Sequence, residues 1–331
     1  METRRPTNPA AEEILGLYFP VLDHGFVALV DYMGSDEDVE RAARVSYGYG
    51  TRRTSATRGL IRYLRRHRHT TPSEMVELKF HCAMPIFVAR QWIRHRSASV
   101  NEYSGRYSLM PLLYYRPDLE QLQAQSASNR QGRAGAPLDK LYTEAIDRWE
   151  RLRREAGEHY EWLVSHDVAR ELARIDLPLS LYTQWYWKVD LHNLLHFLTL
   201  RIDPHAQYEI RAYARVIAGM LQRVAPLSFE AWMDYQVLGT NLSRAELAAL
   251  RRLIGVAGRT LEGRAERIDE AELERLGLSS REIDELLAKL SAPAPVEELR
   301  LDVSVAHPAE HFARLMEEAV PRVDARPAGG R

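Results

Sequence analysis

The chain has 331 residues, 45% of them hydrophobic, and a formal net charge of −1; this rules out wholesale disorder and leaves room for one large domain or two smaller ones. Near-neutrality argues against bulk nucleic-acid binding, and the single cysteine, Cys82, excludes an internal disulfide framework and any paired-cysteine redox or zinc motif. With no basic-then-apolar leader and no apolar run of about 18 residues, the expectation is a reduced, cytoplasmic setting without export or membrane insertion.

After a polar start, GFVALVDY (25–32) reads as a buried strand, and SDEDVERAARVS follows as a helix with Ser35 as N-cap and acids in its first turn. Strand then helix is the first sign of an α/β chain. ATRGLIRYLRRHRH is a second amphipathic helix, stopped by Thr70-Thr71-Pro72. From Val76 the period changes to two: Val76, Leu78, Phe80 and Cys82 alternate with Glu77, Lys79 and His81. That is a half-buried strand in which Cys82 points inward, as a core residue rather than a nucleophile. Pro85 suits the first turn of a helix through PIFVARQWIRHRSA.

Residues 121–137 read as a long polar surface loop, followed by a helix over LDKLYTEAIDRWERLRREAGEHYEWL. DVARELARIDLP is a short helix broken at Pro178, LSLYTQWYWKV a strand, and DLHNLLHFLTLR a helix with leucines at helical spacing. Asp203 as N-cap and Pro204 at the first position open another helix, running to about Val224. Beyond about Leu238 come short charged helices with capping boxes at Ser243-x-x-Glu246 and Ser279-x-x-Glu282, an Ala-Pro-Ala-Pro stretch, and the tail ARPAGGR. The fold expected is mixed α/β (α+β), a central sheet flanked by helices over residues 1–238, with a helical extension over 239–331 of unassigned role.

Chemistry concentrates in QWIRHRSASVNEYSGRYS (91–108), which crowds arginines, serines, a histidine and an acid between two apolar runs. On a helix at about 100° per residue, Gln91, Arg94 and His95 share one side, Ile86, Ala89 and Ile93 the other, and Arg96 falls about 200° from Arg94. Arginines so divergent serve two ligands, or two parts of one extended ligand. Downstream, Gly105 lets backbone N–H groups beside Ser104 approach a ligand, Arg106 suits a phosphate, and Glu102 accepts from a ribose hydroxyl. The whole suggests a nucleotide pocket that uses neither GxGxxG nor GxxxxGK[ST].

Three rivals carry less. Ser104 as a hydrolase nucleophile fails the G-x-S-x-G elbow, since Glu102 and Arg106 occupy the glycine places. His192 and His196, with His205 as a third ligand, would serve a metal-dependent hydrolase, but no H-E-x-x-H is present and histidines beside a leucine face suit packing. RYLRRHRH is basic without a nucleic-acid-binding motif. The expectation is therefore no metal and no nucleic-acid partner.

RHRSASVNEYS resembles the RHR-(seven residues)-S signature of flavin-dependent thymidylate synthases, with Arg94, His95, Arg96 and Ser104 in the defining places. AARVSY, HTTPSEMVELKFHCAMPIFVARQW, GRYS, ARIDLPLSLYTQWYWKVD and LRIDPHAQYEIR agree, so the likeness spans about residues 15–235. It implies methylation of dUMP at C5 with 5,10-methylenetetrahydrofolate as carbon donor, FAD as hydride carrier and NADPH as reductant, in a homotetramer whose active sites are shared between subunits. By the same resemblance, Gln91, Arg94, Glu102, Tyr103, Ser104, Gly105, Arg106, Arg174 and Arg201 bind dUMP. Arg201, Arg174 and Ser104 are the expected catalytic set: Arg201 steadies the deprotonated uracil N3, and Ser104 holds phosphate rather than attacking carbon. Ser46, Thr71, Arg94, His95, Arg96, Glu102, Asp190, His192 and His196 contact FAD, and His69 and Tyr107 stack on flavin and folate. Some relatives carry Asn, Arg and Asn where this chain has Asp190, His192 and His196. A hydride supplied by the cofactor removes any need for a cysteine nucleophile. The rival of a different class is a nucleotide-binding regulatory module without turnover.

Overall fold

The structure is a computed structural model that describes residues 6–46, 57–126, 132–254, 270–275, 283–284, 286 and 299–322. Its strands are β1 (Tyr18–Val21), β2 (Gly25–Met33), β3 (Glu77–Pro85), β4 (Ser99–Glu102), β5 (Gln123–Gln125), β6 (Arg133–Pro137) and β7 (Tyr182–Asp190). The helices that matter here are α1 (Pro9–Glu12), α2 (Asp36–Arg44), α3 (Thr57–Arg66), α4 (Ile86–Trp92), α5 (Asp139–Ser165), α6 (Arg170–Ala173), α7 (Leu191–Arg201) and α8 (Tyr208–Val224).

The period-two runs become the middle of one sheet, ordered β1-β2-β3-β7-β4. β3 buries Leu78, Phe80 and Cys82 and leaves Glu77, Lys79 and His81 half-buried. β7 buries Trp185, Trp187 and Val189 and exposes Tyr186 and Lys188. Every pairing in the sheet is antiparallel. The strand-then-helix order after β2 is therefore not a parallel crossover: α2 and α3 return the chain to the neighbouring strand without spanning a face. α4, α7 and α8 cover one face, where Trp92 meets Trp185 (5.5 Å) and Trp187 (5.1 Å) edge-on and stacks on Phe197 (4.9 Å). α2 starts as expected, with the Asp38 carboxylate accepting the Ser35 N–H at 3.0 Å.

Five expectations change. β1 lies inside the polar start, and part of the loop expected over 121–137 is the β5–β6 hairpin. The helix after Pro85 stops at Trp92, because residues 99–102 leave to pair with β7 at the sheet edge. The helix expected from Asp203 starts at Tyr208: the Asp203 carboxylate turns back onto the His205 N–H (2.7 Å), and Gln207 is extended. Finally, residues from Leu299 onward group with Met1–Glu230, while Ala231–Glu298 forms a second unit, so the expected extension over 239–331 divides. The reason is packing, since helix Ala309–Glu318 buries Phe312 and Met316 against Phe26 and Ala83.

The second unit has its own apolar cluster of Ala249, Leu273, Ile283 and Leu286. Its first capping box forms, with Ser243 N–H on Glu246 Oε2 at 2.7 Å. Ser279-x-x-Glu282, the Ala-Pro-Ala-Pro stretch and the ARPAGGR tail lie outside the described residues. Among the described residues no helix is long and apolar enough to cross a membrane.

Candidate active site

Two local rules set the site. Trp92, wedged into the aromatic cluster, fixes the C-terminal end of α4, so Arg94, His95 and Arg96 emerge in the turn that follows. Asp190 caps α7 by accepting the Asn193 N–H (2.9 Å), which starts that helix at the end of β7. Between the turn and α7 opens a cavity of about 410 Å³. Arg94, Arg96 and Arg201 line it with His95, His196 and Asn193, and Trp187, Val189 and Leu200 give it an apolar wall.

The helical projection of residues 91–96 does not hold, because only Gln91 and Trp92 of that run are helical and Ile93 is exposed. Arg94 and Arg96 nevertheless line the same cavity, from the turn rather than from opposite helix faces. Neither guanidinium has a hydrogen-bond or ion-pair partner among the described residues, and both residues are exposed. Arg201 is held differently: its Nε–H donates to His95 Nε2 at 3.0 Å. His95 also sits edge-on to Phe197 (4.9 Å) and near His196 (5.9 Å). Burial, then the Arg201 charge and His196, push His95 down to about 4. The neutral ring acts as an acceptor that aims Arg201, while burial lowers the Arg201 guanidinium.

A second cluster forms beyond the other end of β4. Ser104, Gly105 and Arg106 sit in a turn in which Ser104 O accepts the N–H groups of Tyr107 (3.1 Å) and Ser108 (3.0 Å). Gly105 is buried, and a Cβ there would lie 2.6 Å from Met110 Sδ and 3.1 Å from Arg174 Cδ. A side chain at position 105 would therefore push Met110 or Arg174 aside. Arg106 pairs with Glu171 of α6 (3.1 Å), and Tyr107 is 78% exposed. Tyr103 turns away, its hydroxyl on Leu109 O (2.5 Å). Glu102 receives the buried Thr183 hydroxyl on Oε1 at 2.8 Å, and Gln91 donates to Gln207. The residues of the expected dUMP set therefore separate into two groups in one chain. Arg94 and Arg201 line the cavity, whereas Ser104, Gly105, Arg106 and Arg174 gather roughly 10 Å or more away, the rise of β4 between them.

The residues expected to contact FAD also divide. His95, Arg96 and His196 line the cavity with Arg94. Asp190 does not: both its oxygens are engaged by Asn193, and Asn193 is the one that faces the cavity. His192, in the first turn of α7, is not part of the lining, and its Nδ1 is buried and unpartnered. The turn Thr71–Met75 packs against both α2 and α7, and Thr71 and Ser46, the latter just after α2, are exposed and do not line the cavity. His69 is exposed and stacks on Tyr63 at 5.9 Å. Cys82 is fully buried, and burial pushes its thiol well above the usual range. His205 is taken by Asp203 (2.9 Å), and among the described residues no three His, Cys, Asp or Glu side chains gather as a metal site would need.

Sequence reading missed Asn193, Trp187, Val189 and Leu200. The offset Asp190-x-x-Asn193 at a helix start was the available signal for the first, and the buried parity of β7 for the next two.

The family profile described as "Thymidylate synthase complementing protein" matches residues 28–227, which take in β3, β4, β7 and both clusters. This chain belongs to that family. A flavin-dependent thymidylate synthase of Gluconobacter oxydans is 51% identical over 294 residues, 87% of this chain and 92% of that relative. Another from Rickettsia prowazekii is 49% identical over 265 residues, covering 76% and 90%. Among solved structures, the UMP/dUMP methylase PolB of Streptomyces cacaoi bound with 5-Br UMP matches with a TM-score of 0.60 and 34% identity, over 66% of this chain and 97% of that one.

The residues present fit a flavin nucleotide of the kind the family's relatives are named for. Two unpartnered guanidiniums suit a diphosphate, and the apolar wall suits a flat ring.

Proposed function

We propose that this chain converts dUMP to dTMP by reductive methylation, with 5,10-methylenetetrahydrofolate as carbon donor and NADPH as reductant. FAD, when bound, supplies the hydride chemistry. Arg94, His95, Arg96 and His196 would hold it, with Ser46, Thr71 and His192 flanking, while Asp190 acts through the cap that sets Asn193. His69 and Tyr107 would supply stacking faces. Ser104, Gly105, Arg106 and Arg174 would bind the nucleotide phosphate and sugar with Glu102, whose Oε1 is fixed by Thr183. Tyr103 braces that loop through Leu109.

One observation carries the reading: a guanidinium locked at Nε by a neutral imidazole, with its terminal nitrogens free of partners among the described residues, lining a cationic cavity. Such a group is aimed before the reaction at the negative charge that develops on the uracil ring. The protein's share is thus to bind, orient and place positive charge. The separation of the two clusters supports a homotetramer with shared sites, as do the exposed Tyr107 and the 69% exposed Ile175. A lone reduced cysteine suits a cytoplasmic enzyme.

The purified protein is expected to be yellow, to be bleached by NADPH without oxygen, and to make dTMP from dUMP and the folate. Arg201→Ala is expected to keep its flavin absorbance yet lose dTMP formation by on the order of 10², the scale of one preorganised donor. Near-normal turnover in that variant, or a colourless wild-type protein that takes up no FAD, overturns the reading.

A further inference from the structure

Residues 299–322 lie beyond the family match at 28–227, yet they rejoin the first unit at four points. Leu301 packs over Gly219 of α8, where any Cβ would lie 2.9 Å from its own. His307 exchanges backbone bonds with Tyr18 of β1, at 2.9 Å and 2.8 Å. Helix Ala309–Glu318 sets Phe312 and Met316 on Phe26 and Ala83, with Tyr18 and Leu113 alongside. Just after it, Ala319 O accepts the Leu112 N–H at 2.8 Å.

That last bond reaches the segment 109–113, which follows the Ser104–Arg106 turn directly. On its other side this segment is tied to the start of β7, Leu113 O accepting the Tyr182 N–H at 2.8 Å. It supports the turn by two routes. Leu109 O receives the Tyr103 hydroxyl, and Met110 fills the space beside Gly105 while its N–H donates to the Tyr160 hydroxyl at 3.0 Å. The turn's other ties are the Arg106–Glu171 pair, more than half exposed on both sides and so worth little, the Arg170 guanidinium donating to Tyr107 O, and the Tyr103 N–H on Gln184 O at 2.8 Å. The turn therefore takes part of its position from 109–113, and 109–113 is held by β7, by Tyr160 and the apolar cluster around it, and by the C-terminal segment.

We propose that residues 299–322 belong to the nucleotide-binding apparatus: Phe312 and Ala319 are positioning residues that hold segment 109–113 and, through it, Ser104, Gly105 and Arg106. The proposal rests on the reading above that this turn binds dUMP. It gives the end of the chain a role in substrate affinity and none in the flavin cavity, from whose lining the segment is absent.

The test uses the full chain. Phe312→Asp places a charge in the apolar seat of the helix. The expected result is faster amide hydrogen exchange in Ala309–Glu318 and 109–112 together, a rise in KM for dUMP on the order of tenfold, and kcat and FAD absorbance close to wild type. If that variant does not accumulate folded, Met316→Ala opens the same seat less and should move the same quantities in the same direction. Release of the helix with KM unchanged overturns the proposal, and so does a loss of kcat and flavin in parallel, which would mark general destabilisation. Arg106→Ala separates the two readings. It should raise KM by at least as much; a normal KM there overturns the assignment of the turn and this proposal with it, whereas a raised KM with a silent Phe312→Asp overturns the brace alone.

Discussion

His95 and Arg201 stand 106 positions apart and meet through one hydrogen bond, Arg201 Nε–H to His95 Nε2 at 3.0 Å. The bond exists only while Nε2 is unprotonated, so the ring carries its proton on Nδ1. Burial first, then Arg201 and His196, lower the group from 6.5 to about 4. Between those values the unfolded chain binds a proton that the folded chain refuses. Stability from this ring is therefore complete above pH 6.5 and is lost progressively as pH falls towards 4. Thermal unfolding midpoints of the wild type should fall across that window more steeply than those of His95→Gln, whose amide oxygen still accepts from Arg201 without titrating. Parallel slopes would remove His95 from the account. At this scale the sequence was partly legible. The inward Cys82 follows from strict alternation in one strand, while the His95–Arg201 contact depends on where α4 ends, and that is decided by tertiary packing.

The same division runs through the elements. β3, β7, α2, α5 and α7 are long enough for their hydrophobic period to repeat, and each appears where it was expected. β1 and β4 have four residues each, too few to display a period, and they exist because a longer strand lies beside them. β4 takes the chain out of α4 and thereby swings Arg94 to Arg96 into the cavity, so one unreadable strand altered the geometry read for the motif. A further tie between distant elements lies at Asp36, the first residue of α2, which is 3% exposed. Its carboxylate accepts the N–H groups of Leu227 (2.7 Å) and Ser228 (2.9 Å) and the Ser228 hydroxyl (2.6 Å), capping helix Pro226–Trp232. Asp36→Ala strands these donors and is expected to cost on the order of 2 kcal/mol in urea unfolding at unchanged slope, with Asp36→Asn costing less. A loss within about 0.5 kcal/mol, the range of ordinary surface changes, would show that water serves those donors instead.

For the molecule as a whole, the decisive feature is that β4 holds apart the two sets of arginines that the proposed function assigns to one small nucleotide. Arg201 and Arg94 line the cavity at one end, and Arg106 and Arg174 surround Gly105 beyond the other. In the arrangement proposed above, a closed homo-oligomer would bring the cavity of one subunit to the 104–106 turn of another, since each copy offers both half-sites. The consequence is countable. In a mixture of Arg201→Ala and Arg106→Ala chains, a shared site is intact only when Arg201 comes from the second variant and Arg106 from the first. Random assembly at equal amounts, assayed at dUMP well below the raised KM of Arg106→Ala, then restores about a quarter of wild-type dTMP formation, although each variant alone gives little under those conditions. A site built within one chain gains nothing from mixing, because every chain lacks one of the two arginines. Co-expression with two distinguishable tags, isolation of the mixed oligomer and assay of dTMP formation decides between the two arrangements, and activity no greater than the sum of the separate variants would require both clusters to act within one subunit.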